Sequence, residues 1–304
     1  MKILRENKKL TIHFFTCMHG RTQVARMFMQ GLGRIVRASA DVADIRICVA
    51  YSEDADKELC EEMRAADNDL DLILHRVSND LVGAKWNASL NMALATGVAD
   101  YYVKMDDDDI ISTEAWMSMI GMMIHKVPYI GFDHVLFVDG TNGDASLFQY
   151  PNPNKVLGAI RAFSMDCIRL GVMKVLCEVM QQVTQNGAQL EPEEQRYLPY
   201  NLAGWLHTQG IVRVMGNEDG TLITRAKLWT NEWNRSLDWD SDVRLAINGY
   251  TATPVPWDVK KQGPAVADIK TPGHNIWSYH ERSHEGTPYK IDKLAWLPLF
   301  DTKK

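Results

Sequence analysis

Apolar residues in this chain fall alternately in short dense runs and at helical spacing. Leu10 to Phe15 (LTIHFF) has the density of a buried strand. It stops at the polar turn Thr16-Cys17-Met18-His19-Gly20-Arg21. From about Thr22 to Val36, Val24, Met27, Phe28, Gly31 and Ile35 then follow helical spacing. Asp44 to Tyr51 predicts a second strand. Ser52 is placed to cap the next helix, whose first turn carries acids, as the helix dipole prefers. Asp71 to Val77 predicts a third strand. Asn79 to Gly97 predicts a helix with Leu81, Leu90, Met92 and Leu94 inward, closed by its terminal glycine.

The pattern continues past a short apolar run, Tyr101 to Met105. Thr113 to Ile124 predicts a Met-rich helix whose methionines pack a core. Tyr129 to Val138 reads as a strand, and Asp139 to Gly143 as a turn. Gly158 to Phe163 predicts a strand running into a helix at Cys167 to Leu170. Helices at Met173 to Gln185 and Glu191 to His207 follow, then strands at Ile211 to Met215 and Thr221 to Trp229. Strand–helix alternation at these intervals predicts an α/β protein with a doubly wound, mostly parallel sheet flanked by helices. From about Ser236, prolines, glycines and tryptophans replace the periodicity. The expected organisation is a domain over 1–235 and an irregular C-terminal extension over 236–304 that wraps it. Aromatic residues such as Trp257, Trp277 and Trp296 argue against a disordered tail.

Composition narrows the class. The 304 residues are 46% hydrophobic and 24% charged, ordinary for a globular chain with ample core. A net charge of −6 offers no broad basic field for nucleic acid or anionic membrane. No apolar run reaches the ~20 residues a transmembrane helix needs, and MKILRENKKL lacks the apolar core of a signal peptide. Five widely spaced cysteines, with no C-x-x-C pair, argue against zinc and disulfide frameworks and for a cytoplasmic setting. Neither a dinucleotide fingerprint nor a P-loop is present.

The chemistry concentrates at YYVKMDDDDII, Tyr101 to Ile111. An apolar run ends in four consecutive aspartates, Asp106 to Asp109, and apolar residues resume at once. Adjacent carboxylates repel by about a kcal/mol per close pair near a surface. A chain gains little from them at the mouth of a buried strand unless a cation sits there. Hard ions such as Mg²⁺ or Mn²⁺ take one or two carboxylates plus the oxygens of a bound diphosphate. Open α/β sheets place their ligands at such strand ends.

Taken in order, these elements resemble a glycosyltransferase of the A-type (GT-A) fold, closest to glycosyltransferase family two. The likeness covers roughly Leu10 to Met215. It rests on Thr16 and Arg21 after the first strand, Glu53 and Asp54 after the second, and Gly83-Ala84-Lys85-Trp86-Asn87. Then come Asp106-Asp107-Asp108-Asp109, Gly158 to Gly171, and Glu193-Glu194 running through Gly210 to Val214. The resemblance implies a donor half over about 1–110 and an acceptor half over about 111–235. Donor contacts would be Thr16, Arg21, Glu53, Asp54, Lys85, Asn87, Asp106 and Asp107. Asp106 and Asp108 would hold Mn²⁺ or Mg²⁺, with a C-terminal histidine, His280, as a further ligand beside His274 and His284. The general base would be Glu193 or Glu194, with Glu191 a third candidate, although the family more often has Asp there. Trp229, Trp233 and Trp239, beside Asn231 and Asn234, would suit stacking on an acceptor.

The activity implied is metal-dependent transfer of a sugar from a nucleotide-diphosphate sugar to an acceptor hydroxyl, with inversion. The acceptor would be a glycan or, as in phage-type base glycosyltransferases, a hydroxymethylated pyrimidine in DNA. Two rivals stand beside this reading. A sugar-nucleotide nucleotidyltransferase usually carries a glycine-rich basic loop after its first strand, and Thr16 to Arg21 holds one Gly and one Arg. A non-catalytic nucleotide- or carbohydrate-binding module would not need an intact run of four aspartates.

Overall fold

The computed structural model describes residues 8–79, 82–150, 156–169 and 249–271, with 279, 283, 286–291, 294, 296 and 297. The elements expected between Met173 and Trp229 lie outside the described residues. So do Glu191, Glu193, Glu194, His274, His280, His284 and the three tryptophans from Trp229 to Trp239.

The N-terminal half alternates as its hydrophobic pattern predicts. β1 (Leu10–Met18), α1 (Thr22–Ser39), β2 (Ala43–Tyr51), α2 (Asp54–Ala66), β3 (Asp71–Arg76), α3 (Val82–Ala95) and β4 (Tyr101–Met105) follow in turn. β4, β1, β2 and β3 are all parallel neighbours. Phe14 packs on Trp116 on one face of β1, and Phe15 on Trp86 on the other. All four side chains are buried, each worth about 1.5–3 kcal/mol in removed apolar surface. Because β1 is covered on both faces, its sequence is nearly continuously apolar rather than alternating.

After β4 come β5 (Asp109–Ile111) and α4 (Thr113–Ile124), which Ser112 caps by accepting from the Ala115 N–H at 3.2 Å. The run predicted as one strand over Tyr129 to Val138 divides in two. β6 (Tyr129–Gly131) pairs with β9 (Ile160–Ser164), while β7 (His134–Asp139) enters a second sheet beside β8 (Ala145–Gln149). Both pieces are buried throughout, so nothing in their hydrophobicity marks the change of sheet. α5 (Met165–Arg169) follows β9.

The described C-terminal residues form β10 (Thr253–Pro254), a short α6 (Val259–Gln262), β11 (Val266–Lys270) and β12 (Thr287–Tyr289). The larger sheet runs β10-β6-β9-β4-β1-β2-β3 and is mostly parallel. The smaller runs β12-β8-β7-β11-β5. The chain is therefore an α/β protein with a mostly parallel sheet flanked by helices, as the alternation predicted. β11 is an interior strand of the smaller sheet, parallel to β7 and antiparallel to β5. No helix among the described residues is long and apolar enough to cross a membrane.

Candidate active site at the carboxyl end of β4

The four aspartates form the passage from one sheet to the other. β4 ends at Met105 and Asp109 opens β5, so the two sheets meet at Asp106 to Asp108. The turn is closed from within. The Asp109 N–H donates to the Asp106 carbonyl at 3.1 Å, and the Asp106 N–H donates to Asp109 Oδ2 at 3.3 Å. It is held from outside by β11, whose Ile269 N–H donates to the Asp108 carbonyl at 3.0 Å. Asp107, Asp108 and Asp109 are buried and Asp106 is half-buried. Oxygens of Asp106, Asp108 and Asp109 lie within 4.8 Å of one another.

The loop after β1 delivers a cation to this turn. Gly20 adopts a positive φ of 63°, which only glycine takes at no steric cost. Its N–H donates to Asp56 Oδ1 at 3.0 Å, and the other Asp56 oxygen accepts from the Glu53 N–H at 3.2 Å. One fully buried carboxylate thus ties the loop to the start of α2. Ser52, expected as the cap there, instead donates to the Val77 carbonyl at 2.9 Å. Arg21 follows Gly20 and reaches across. Nη2 pairs with Asp107 and Nη1 with Asp108 Oδ2 at 2.8 Å.

Two further cations converge on the turn. Lys104, fully buried over the Trp86 ring, lies 3.2 Å from Asp106 Oδ2. Lys270 on β11 lies 2.6 Å from Asp268 Oδ2 and 3.7 Å from Asp108 Oδ2. The antiparallel register sets Asp268 opposite Asp109 and so brings a fifth carboxylate to the cluster. Oδ2 of Asp107 and Oδ1 of Asp268 are buried without a hydrogen-bond partner. Orphaned carboxylate oxygens beside three clustered aspartates fit a hard cation, which takes oxygen ligands.

The electrostatics follow from crowding. Burial, with Asp108 and Asp106 adding to it, pushes Asp107 up to about 7 against the pull of Arg21. Burial and the nearby Asp108 likewise push Asp268 up to about 7, against Lys270. Asp109 stands well above the usual carboxylate range through burial and then Asp268. Asp108 alone goes the other way. Burial opposes its charge, but Arg21 and then Lys270 hold it down to about 2. Burial opposes the Arg21 charge too, but Asp108 and Asp107 outweigh it and raise its proton affinity. Asp108 is therefore held as an anion, while burial and mutual repulsion raise the proton affinity of Asp107, Asp109 and Asp268.

The remaining residues singled out from sequence divide. Lys85 is buried, donates to the Met18 carbonyl at 2.5 Å and to Asn79 Oδ1 at 3.1 Å, and burial lowers its pKa. Thr16 is buried with an unpartnered hydroxyl. Glu53 and Asp54 stand exposed at the start of α2, where Glu53 approaches His19 at 3.6 Å and Asp54 pairs with Arg76 at 2.9 Å. Asn87 lies on α3. Sequence reasoning gave no role to Asp109 and missed Asp56, Lys104, Asp268 and Lys270. The signal for the last two was faint: a five-residue strand-like run, VADIK, between Pro264 and Pro272.

No family model matches the sequence, and no curated protein does. Solved structures do resemble it. Mannosyltransferase PcManGT from Pyrobaculum calidifontis, in complex with GDP-Man and Mn²⁺, shares 12% identity over 80% of this chain and 76% of that one, with a TM-score of 0.40. TarS 1-349 from S. aureus shares 13% over 53% of this chain, with a TM-score of 0.36, and the match spans about half of its length, 48%. The 4-diphosphocytidyl-2C-methyl-D-erythritol synthase of Anaerococcus prevotii shares 14% over 56% of this chain and 75% of that one, with a TM-score of 0.33. Likenesses this distant assign no activity.

Proposed function

We propose that the chain is a metal-dependent glycosyltransferase that uses a nucleotide-diphosphate sugar. The observation that carries this reading is the meeting of Asp106, Asp108 and Asp109 within 4.8 Å at the end of β4, beside Arg21 and Lys270. Carboxylates and cations side by side suit a cation and an anionic group bound together. Asp106 and Asp108, with Asp109 beside them, would hold Mn²⁺ or Mg²⁺. The bound ion would neutralise charge growing on the departing diphosphate. Arg21 bridges Asp107 and Asp108 and so fixes both carboxylates beside the place where phosphate would bind. Lys85, tethered to the Met18 carbonyl, would add positive charge at the end of β1. Glu53 and Asp54 would meet the base near the Gly20 turn.

Transfer with inversion also needs a group to accept the acceptor's proton. Glu193 or Glu194 remains the proposal for that step, and His280 for a further ligand. The acceptor is proposed as a glycan, with a hydroxymethylated pyrimidine in DNA as the second candidate. The proposed setting is cytoplasmic.

The test is a thermal-shift panel with and without Mn²⁺, headed by GDP-mannose and UDP-GlcNAc, the ligands named for PcManGT and one TarS structure. A ligand at 100 times its dissociation constant adds about 2.7 kcal/mol. A metal-dependent shift with one nucleotide is the expected outcome. No shift across uridine, guanosine, cytidine, adenosine and thymidine diphosphates would overturn the reading. Release of pyrophosphate from a nucleoside triphosphate and a sugar phosphate would replace it with a nucleotidyltransferase.

A further inference from the structure

We propose that Lys270, on the C-terminal strand β11, binds the donor's diphosphate and is held on Asp108 and Asp268 until that diphosphate arrives. The inference rests on the reading of the site given above.

The strand register places this lysine. β11 pairs with β5 so that Asp268 stands opposite Asp109, and the Ile269 N–H holds the Asp108 carbonyl. Asp268 and Lys270, two residues apart, share one side of the strand, with Lys270 Nζ 2.6 Å from Asp268 Oδ2. The ammonium also lies 3.7 Å from Asp108 Oδ2, the oxygen to which Arg21 donates at 2.8 Å. Two cations from opposite ends of the sequence thus share one carboxylate oxygen. The Lys270 side chain is only 11% exposed, so its charge depends on these anions rather than on water.

Sharing makes the arrangement exchangeable. A divalent ion on Asp108 draws that carboxylate's charge to itself, and the lysine loses part of its partner. A diphosphate bound to the same ion would restore an anion within reach. Arg21 is fixed by its second contact, to Asp107. Lys270 carries three donors on a flexible four-carbon stem and can turn to phosphate while β11 stays paired. Phe137, whose ring centre lies 5.8 Å from Nζ, supports the charge where it rests.

This exchange predicts effects of opposite sign, which a merely structural ion pair would not give. In Lys270→Met, Mn²⁺ alone should bind about fivefold tighter, because a competing cation has gone. In saturating Mn²⁺, the nucleoside diphosphate should bind about tenfold weaker. Lys270→Arg should recover most of the nucleotide affinity. The experiment is titration calorimetry of wild type and both variants with Mn²⁺ alone, then with UDP, GDP, CDP, ADP and TDP. If Lys270→Met fails to fold, acetylation footprinting of the wild type replaces it. Lys270 should then be labelled in Mn²⁺ alone and protected by Mn²⁺ with the nucleotide. Unchanged nucleotide affinity in Lys270→Met, or no added protection by the nucleotide, would overturn the role of Lys270 alone. No nucleotide binding to the wild type would overturn the glycosyltransferase reading with it.

Discussion

Two buried polar clusters flank β11, and they are built on opposite principles. At its beginning, His134 is fully buried and both ring nitrogens are used. Nε2 accepts from the Ala265 N–H at 3.0 Å, so Nδ1 carries the proton and donates to Asp133 Oδ1 at 2.8 Å. The other Asp133 oxygen accepts from Gln149 at 3.0 Å. Although half-burial opposes its charge, the bonds from His134 and Gln149 hold Asp133 below the usual carboxylate range. At the far end of the strand, Asp107 and Asp268 each keep an orphaned oxygen and are pushed up to about 7. The first network is closed and fixes where the strand starts. The second is open, and its unmet demand is for a cation.

The largest effect should come from the open cluster. Asp108→Asn removes the carboxylate that Arg21 and Lys270 hold as an anion and leaves both cations without it. Nucleotide binding that depends on Mn²⁺ should fall by at least about 100-fold in calorimetry, since a charge-assisted contact and an ion ligand go together. Unchanged affinity would move the donor site elsewhere.

His134→Ala attacks the closed cluster and should act on stability instead. It leaves the buried Ala265 N–H unpaired and removes the bond to the partly exposed Asp133, a loss of about 3 kcal/mol. For a chain of this size that is roughly 5 °C in melting temperature. Nucleotide affinity, measured well below the melting point, should change by less than about threefold if the two clusters are as separate as their bonding indicates. A large loss of affinity at unchanged stability would contradict that separation.

pH should separate the clusters further. Asp107 and Asp268 bind protons more tightly in the folded state than in the unfolded chain, where they titrate near ~4. Their contribution to stability is full below that value and is lost as pH rises through about 7. Asp133 has a lowered value, so its contribution is present above ~4 and lost only in acid. Melting temperature of the metal-free protein should therefore fall by several degrees between about pH 5 and 8. Added Mn²⁺, which needs ionised ligands, should stabilise more at the upper end. A profile that is flat with and without metal would remove the crowding argument.

Much of this was legible in the sequence, for identifiable reasons. β1, β2 and α4 are local objects: an apolar run, or apolar residues at helical spacing. The acidic turn was legible because four charges interrupt an apolar run. The division of Tyr129 to Val138 into two sheets was not, because strands buried on both faces carry no alternation to break. Asp268 and Lys270 were missed because their meaning lies in a long-range register with Asp109, and nothing within VADIK records its partner. Asp56 was read only as a first-turn acid. Its bonds to Gly20 and Glu53 appear once the β1–α1 loop and the start of α2 are brought together.

The smallest effect sharpens the comparison most, because it touches neither cluster directly. A β-carbon on Gly20 would meet nothing within 4 Å, so Gly20→Ala introduces no clash with its surroundings. Its effect comes from the backbone alone, since a positive φ of 63° disfavours an L-residue by about 1 kcal/mol. That corresponds to about 1–2 °C in melting temperature. If the residue relaxes to negative φ, its N–H turns from Asp56 and Arg21 is carried away from Asp107 and Asp108. Nucleotide affinity should then fall while the His134 cluster and the rest of the fold remain. Comparing Gly20→Ala with Asp56→Asn separates the two causes, since the amide leaves the turn's φ unstrained but can accept from only one of the Gly20 and Glu53 N–H groups and so loosens the tether. A loss of affinity in both variants would assign placement of Arg21 to the tether. A loss in Gly20→Ala alone would assign it to the turn's conformation.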